Sequence, residues 1–253
     1  MMKRIISFSL WGNNEKYTIG AIENAILAQE LYPEWICRFY IGQTTRIGSP
    51  NVISRLDSLS NTELVFMDEN GNWNSTFWRF TACSDPAVEY VLCRDCDSRL
   101  SIRERNAVEE WIQSEKVFHI MRDHPWHEAL ILAGLWGCRC EGLRDINELV
   151  KNYIKTHTVT YSADQDFLRT VIFPRIKNSC FIHDEFHGGR KFPLKRRNLE
   201  FIGQVYDPAN ERTFEHREVL KTILDKRKPY NKIKYVLRSI YRSLKVNKFK
   251  NEK

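Results

Sequence analysis

The 253-residue chain lacks any apolar run near the ~20 residues needed to cross a bilayer. Its start, Ile5-Ile6-Ser7-Phe8-Ser9-Leu10, reads as a β-strand and has neither the apolar core nor the cleavage site of a signal peptide. The expectation is a cytoplasmic protein. An even, secretory-style cysteine framework is missing too. Seven cysteines without a leader point to reduced, packed thiols rather than disulfides. Cys93-x-x-Cys96 and Cys138-x-Cys140 raise a Cys₄ zinc site as the alternative, but strand alternation would send Cys93 and Cys96 to opposite faces, so packing is preferred. There is no internal repeat and no recognised nucleic-acid module, which leaves nucleic acid off the list of partners.

What is present is enough for a sizeable core: 42% of residues are hydrophobic and 12% aromatic. The net charge of +7 is uneven. Residues 226–253 carry eleven Lys or Arg against one acid, Glu252, and the remainder is slightly acidic. Within this tail Ile233, Val236, Leu237, Ile240, Tyr241 and Leu244 fall at helical spacing beside Lys232, Lys234, Arg238, Arg242 and Lys245. That pattern predicts a basic amphipathic helix, packed on the protein itself or on an anionic membrane surface, which would make the protein peripheral on the inner face of the membrane. The domain reading is a catalytic body over residues 1–212 and a basic helical tail over 213–253.

The body alternates strand and helix signals. A helix is predicted over Thr18 to Leu31, a strand over Trp35 to Ile41, a short helix over Ser54 to Leu59 and a strand over Glu63 to Met67. A helix over Thr76 to Cys83 precedes a buried strand at Tyr90 to Cys93, and Ser101-x-x-Glu104 is a capping box opening a helix through Trp111. A strand at Val117 to Met121, a helix at Glu128 to Leu135 and a helix at Asp164 to Ile172 stopped by Pro174 follow. The expected fold class is α/β, a mostly parallel sheet flanked by helices.

The chemistry gathers where the fourth strand ends. Asp95-Cys96-Asp97 places two hard carboxylates at a strand's carboxyl end, where open α/β sheets bind ligands and where Mg²⁺ or Mn²⁺ can carry phosphates. Taken alone, such a pair is more often a solvated loop or a cap. Arg79, Arg94 and Arg99, the cluster Asp123, His124 and His127, the Asp164-Gln165-Asp166 helix start and His183-Asp184 at another strand end shift the balance. Asp164 has an N-cap role as its plain alternative, His124 a turn role and His183 that of an ordinary strand-end residue. Trp73, Trp78, Trp111 and Trp126 read as core or pocket wall.

The ordered motifs Phe77-Trp78-Arg79-Phe80, Val91 to Ser101 with the Asp-x-Asp inside, Arg103-Glu104, Met121-Arg122-Asp123-His124-Pro125 and Asp164-Gln165-Asp166-Phe167-Leu168 resemble GT-A glycosyltransferases. The likeness is to compact ones of bacterial surface-polysaccharide loci and large DNA viruses, and spans roughly Ile5 to Tyr206. It implies a GT-A-like fold and transfer of a sugar from a nucleotide donor, UDP-linked by preference, to a glycan or lipid-linked acceptor in surface-polysaccharide (capsule) synthesis. It implies Mn²⁺ or Mg²⁺ on Asp95, Asp97 and His183. It also implies donor contacts from Ser7, Phe8, Ser9, Leu10, Arg79, Asp95 and Gln165; independently of the resemblance, Arg94 beside the aspartates offers a bidentate phosphate contact. A base would come from Asp164 first and Asp123 second. The Cys between the aspartates and the His183-Asp184-Glu185 context depart from better-known patterns. A rival enzyme is a haloacid-dehalogenase-type phosphatase using Asp95 and Asp97, although its motif sits near the N-terminus and its later Lys and Asp-Asp set is missing here. A rival of another class is a non-catalytic membrane- or polyanion-binding protein.

Overall fold

A computed structural model describes residues 2–227. Contacts divide the chain into a unit Met1–Thr213 and a second unit Phe214–Lys253, of which residues 214–227 are helical. The basic stripe from Ile233 to Leu244 lies outside the described residues.

The first unit holds a seven-stranded sheet: β1 Lys3–Leu10, β2 Ile36–Ile41, β3 Thr62–Phe66, β4 Val88–Arg94, β5 Phe118–Arg122, β6 Trp136–Arg139 and β7 Cys180–Asp184. Their spatial order is β3-β2-β1-β4-β6-β5-β7, and β6 alone runs antiparallel to its neighbours. The pairs β1–β2, β1–β4, β2–β3 and β5–β7 are parallel, giving the mostly parallel α/β sheet expected.

Alternation along the strands builds two cores. Ile6, Phe8 and Leu10 of β1 pack with Cys37, Phe39 and Ile41 of β2 beneath α1 (Glu15–Leu31), α3 (Pro50–Asp57) and α4 (Ile102–Gln113). On the other face Ile5, Val91, Cys93, Phe118, Ile120 and Trp136 meet a 3-10 segment, Trp73–Ser84, together with α5 (Ile146–Thr156). A sheet buried on both faces explains the near-continuous apolar strands. A short α2 (Gln43–Gly48) precedes α3.

Three local expectations change. Residues 128–135 form an irregular wall, not a helix. Ile131 and Ala133 pack into the same core as Trp136, the first residue of β6, which stacks on Phe118 with centroids 5.0 Å apart, while Leu135 turns to a separate cluster with Met121 and Ile202. The predicted Ser101 box forms by half: Ser101 Oγ accepts from Glu104 N at 3.2 Å, while the Glu104 carboxylate turns to Arg94 Nε at 2.7 Å. Pro174 does not stop the late helix. α6 (Ala163–Phe167) widens into a π-type turn, Leu168–Ile172, and Pro174 enters in the first turn of α7 (Phe173–Ile176), where a missing N–H does least harm.

Candidate active site

β1 and β4 are parallel neighbours, so their carboxyl ends open at the same edge of the sheet. A cavity of about 500 Å³ lies there, bounded by Ser9, Trp11, Arg79, Asp95, Asp97 and Asp164, among others. Helix α1 sets the Asp-x-Asp turn in place. Asn24 Nδ2 donates to Ser98 O at 2.8 Å and Asn24 Oδ1 accepts from Leu100 N at 3.0 Å. Gly20, four residues earlier, faces the Cys96 carbonyl so closely that a β-carbon would stand 1.9 Å from its oxygen. Gly134 does the same for Asp95, whose Oδ2 would lie 1.9 Å from an added β-carbon. Cys96, the odd residue of the motif, points inward with its thiol toward Ser9 O at 3.6 Å, and burial pushes its pKa up.

The serines of β1 position Arg79. Ser7 Oγ donates to Arg79 O at 2.6 Å and Ser9 Oγ accepts from Arg79 N at 3.0 Å, joining β1 to the 3-10 segment. The buried Arg79 guanidinium then pairs with Asp95 and, at 2.7 Å, with Asp164 Oδ2. Asp164 Oδ1 accepts from Gln165 N at 2.9 Å. Lys16 Nζ, from the first turn of α1, meets Asp97 Oδ2 at 2.7 Å. Burial opposes the charge on Lys16, yet its pairing with Asp97 more than offsets that and raises its pKa. Asp97 is also held above the usual carboxylate range, by burial first and then by the charge of Asp95, even with Lys16 attached. Three carboxylates, Asp95, Asp97 and Asp164, thus share two cations, Arg79 and Lys16, which leaves one negative charge unmatched. A hard divalent cation fits that condition, since Mg²⁺-like ions are held by one or two carboxylates together with substrate phosphates and water. At the rim, Trp73 and Tyr161 meet edge to face at 5.4 Å with much of both rings in solvent.

The predicted site residues divide. Ser9, Arg79, Asp95, Asp97, Asp164 and Gln165 all border the cavity. Phe8 and Leu10 point the other way into the core, Phe8 stacked on Phe39 at 4.9 Å, and Ser7 is a buried strut. Arg94 is no phosphate ligand: it is 1% exposed, with Nε on Glu104 and Nη1 on the carbonyls of Cys93 and Trp136 at 2.7 and 2.8 Å. Asp123 is fully buried between Arg103 (2.8 Å) and Arg196 (2.6 Å) and accepts from Ile202 N, which makes it an anchor for the 194–202 loop and keeps it from a reacting hydroxyl.

His183 also falls elsewhere. It sits on β7, three strand spacings or about 14 Å of sheet from β4. Both ring nitrogens are engaged, Nδ1 with His119 Nε2 at 2.8 Å and Nε2 with Glu110 at 3.0 Å. Ligation of an ion at Asp97 would break both contacts. Lys16, Gly20, Asn24, Gly134 and Tyr161 went unforeseen, while Trp73 stands in the pocket wall. For Lys16 the signal existed: it sits just past the N-cap Asn14, in the first turn of a helix that follows the first strand.

No protein-family model and no curated protein matches the chain. Solved structures do. The chain is similar to S. aureus TarS 1-349 in complex with UDP at 15% identity and a TM-score of 0.50, over 73% of this chain and 58% of that one. It is similar also to a glycosyltransferase involved in the glycosylation of the major capsid of PBCV-1, at 19% identity and 0.46, over 72% and 81%. A third is the mannosyltransferase PcManGT from Pyrobaculum calidifontis in complex with GDP-Man and Mn²⁺, at 14% and 0.49, over 73% and 56%. The fold is GT-A-like, and the solved structures that share it include glycosyltransferases and also a 4-diphosphocytidyl-2C-methyl-D-erythritol synthase from Anaerococcus prevotii, at 8% identity and a TM-score of 0.48, over 72% of this chain and 87% of that one. Among the described residues no helix is long and apolar enough to cross a membrane.

Proposed function

We propose that the chain is a glycosyltransferase that takes a sugar from a nucleoside-diphosphate donor in the cavity at the ends of β1 and β4. The observation that carries this reading is that three carboxylates bordering one pocket at the carboxyl edge of a GT-A-like sheet, Asp95, Asp97 and Asp164, share two cations, Arg79 and Lys16. A phosphatase using Asp95 as nucleophile is less well served, because that carboxylate is already paired with a buried guanidinium.

In this reading Asp95 and Asp97 hold Mg²⁺ or Mn²⁺, which when bound offsets the charge that builds on the leaving diphosphate. Lys16 supplies positive charge beside the same phosphates, while Arg79, its guanidinium shared between Asp95 and Asp164, holds those carboxylates in place. Trp73 and Tyr161 present ring faces at the rim to a base or sugar. Asp164 lies within the cavity, but its oxygens already serve Arg79 and the Gln165 amide. It is assigned to accept a sugar hydroxyl and to keep Arg79 aimed, while Gln165 at the same wall contacts the transferred sugar. The acceptor is assigned to the glycan or lipid-linked class, with surface polysaccharide as the product.

The test is a panel of UDP-, GDP- and other nucleotide sugars with the full chain, with and without Mn²⁺, read by thermal shift and by release of nucleoside diphosphate. At a hundred times its Kd a true donor should stabilise by ~2.7 kcal/mol. Asp97→Asn should abolish cation-dependent release. If no nucleotide sugar shifts the melting curve in the presence of Mn²⁺, the reading fails.

A further inference from the structure

Cys138 and Cys140, two residues apart along and just past β6, point to the same face of the sheet. Cys83, near the end of the 3-10 segment, comes down onto that face, its Sγ 3.4 Å from that of Cys138. All three side chains are fully buried, and their sulfurs lie within 4.8 Å of one another. Apolar packing alone accepts a thiol as it would any small side chain and gives no reason for three sulfurs to converge. A disulfide would use two and strand the third.

We infer that Cys83, Cys138 and Cys140 form a three-coordinate site for a soft, thiophilic cation, with Cu(I) the best match. The geometry suits it. Three sulfurs each about 2.3 Å from a central ion lie about 4.0 Å apart in a trigonal plane, a little wider than the 3.4 Å between Cys83 and Cys138 and inside the 4.8 Å that bounds all three. Among the described residues no His, Asp or Glu joins the group, so it is one ligand short of a closed tetrahedral zinc site. Thiolate sulfur selects soft ions over hard ones, which separates this site from the carboxylate pair. Arg144 stands alongside, donating to Cys83 O at 3.2 Å and Val88 O at 2.6 Å, and its guanidinium offsets part of the negative charge as the thiols give up their protons to solvent. Because Cys83 follows Arg79 by four residues in the same segment, ligation would tie the piece that carries the cavity's guanidinium to β6.

The experiment uses the full chain, reduced and kept anaerobic, titrated with Cu(I) against a chromogenic Cu(I) chelator and then desalted. Copper per chain and the melting temperature are read together. One copper per chain with a raised melting temperature is expected. Both should be lost in Cys83→Ser and in the milder Cys140→Ala, and kept in Cys37→Ser and Cys180→Ser, with circular dichroism confirming that each variant folds. The inference is overturned if no copper is retained, if Cys140→Ala retains as much as the parent, or if Zn²⁺ binds the three thiols and Cu(I) does not.

Discussion

Replacing Gly20 with alanine probes how the Asp-x-Asp turn is held. The residue is in the interior of α1, so the backbone accepts alanine and space is the only constraint. An added β-carbon would stand 1.9 Å from Cys96 O and 2.8 Å from an Arg99 guanidinium nitrogen. Even a close C–H···O contact needs about 3.3 Å, so α1 and the turn must part by about 1.4 Å. That separation removes the Asn24 bonds to Ser98 O and Leu100 N, now 2.8 and 3.0 Å long. Overpacking costs about 1–3 kcal/mol and each lost bond about 1 kcal/mol, against a gain of about 1 kcal/mol in helix propensity. The net is about 2–4 kcal/mol, or about 5–15 °C in melting temperature for a chain of this size. Asn24→Ala, which loses only the bonds, should cost about 1–3 kcal/mol. Displacing the carboxylates by about 1 Å should also cut nucleotide release by on the order of a hundredfold. Calorimetry of both variants alongside the release assay decides the matter. A Gly20→Ala protein that melts at or above the parent temperature would refute the close approach.

Lys16→Met removes the ammonium that competes with a divalent ion at Asp97, so the Mn²⁺-induced thermal shift should grow; a smaller shift would show that Lys16 assists the ion instead. Asp123→Asn leaves Arg103 and Arg196 facing a neutral partner and should cost about 3–5 kcal/mol in urea unfolding, with donor KM unchanged in whatever folds. His119 and His183 are both held below the usual imidazole range, chiefly by burial, with Glu110 countering in part at His183 and with Arg94, Arg103 and Arg190 adding to the lowering. The unfolded chain therefore takes up protons first. Stability is present above about pH 6.5 and is lost below it, by up to ~1.4 kcal/mol per pH unit per imidazole. Urea midpoints that do not fall between pH 7 and pH 5.5 would contradict this.

The strands were legible because a sheet buried on both faces writes itself as apolar runs, and β1, β2, β4 and β5 appear within a residue or two of their predicted ends. β6 was not, since four residues with a glycine in the middle carry no run, and the preceding Leu130-Ile131-Leu132 satisfies helical and extended spacing alike. The Asp-x-Asp and Arg79 were readable because charge at a strand end or between aromatics is conspicuous. Arg94, Asp123 and His183 are equally conspicuous, but their partners Glu104, Arg103, Arg196 and Glu110 come from α4 and a remote loop, which sequence proximity does not reveal. Gly20 and Asn24 act through shape and backbone contact, and nothing in their identity announces it.

The wall formed by residues 123–135 is also the connection of the β5–β6 hairpin, and its Gly134 is what admits the Asp95 carboxylate. Until β6 slots between β4 and β5, one side of the pocket does not exist, however complete the β1–β4 half has become. Ligand capture is thereby coupled to the insertion of a single four-residue strand, and a nascent or partly refolded chain should stay blind to its donor until that strand docks.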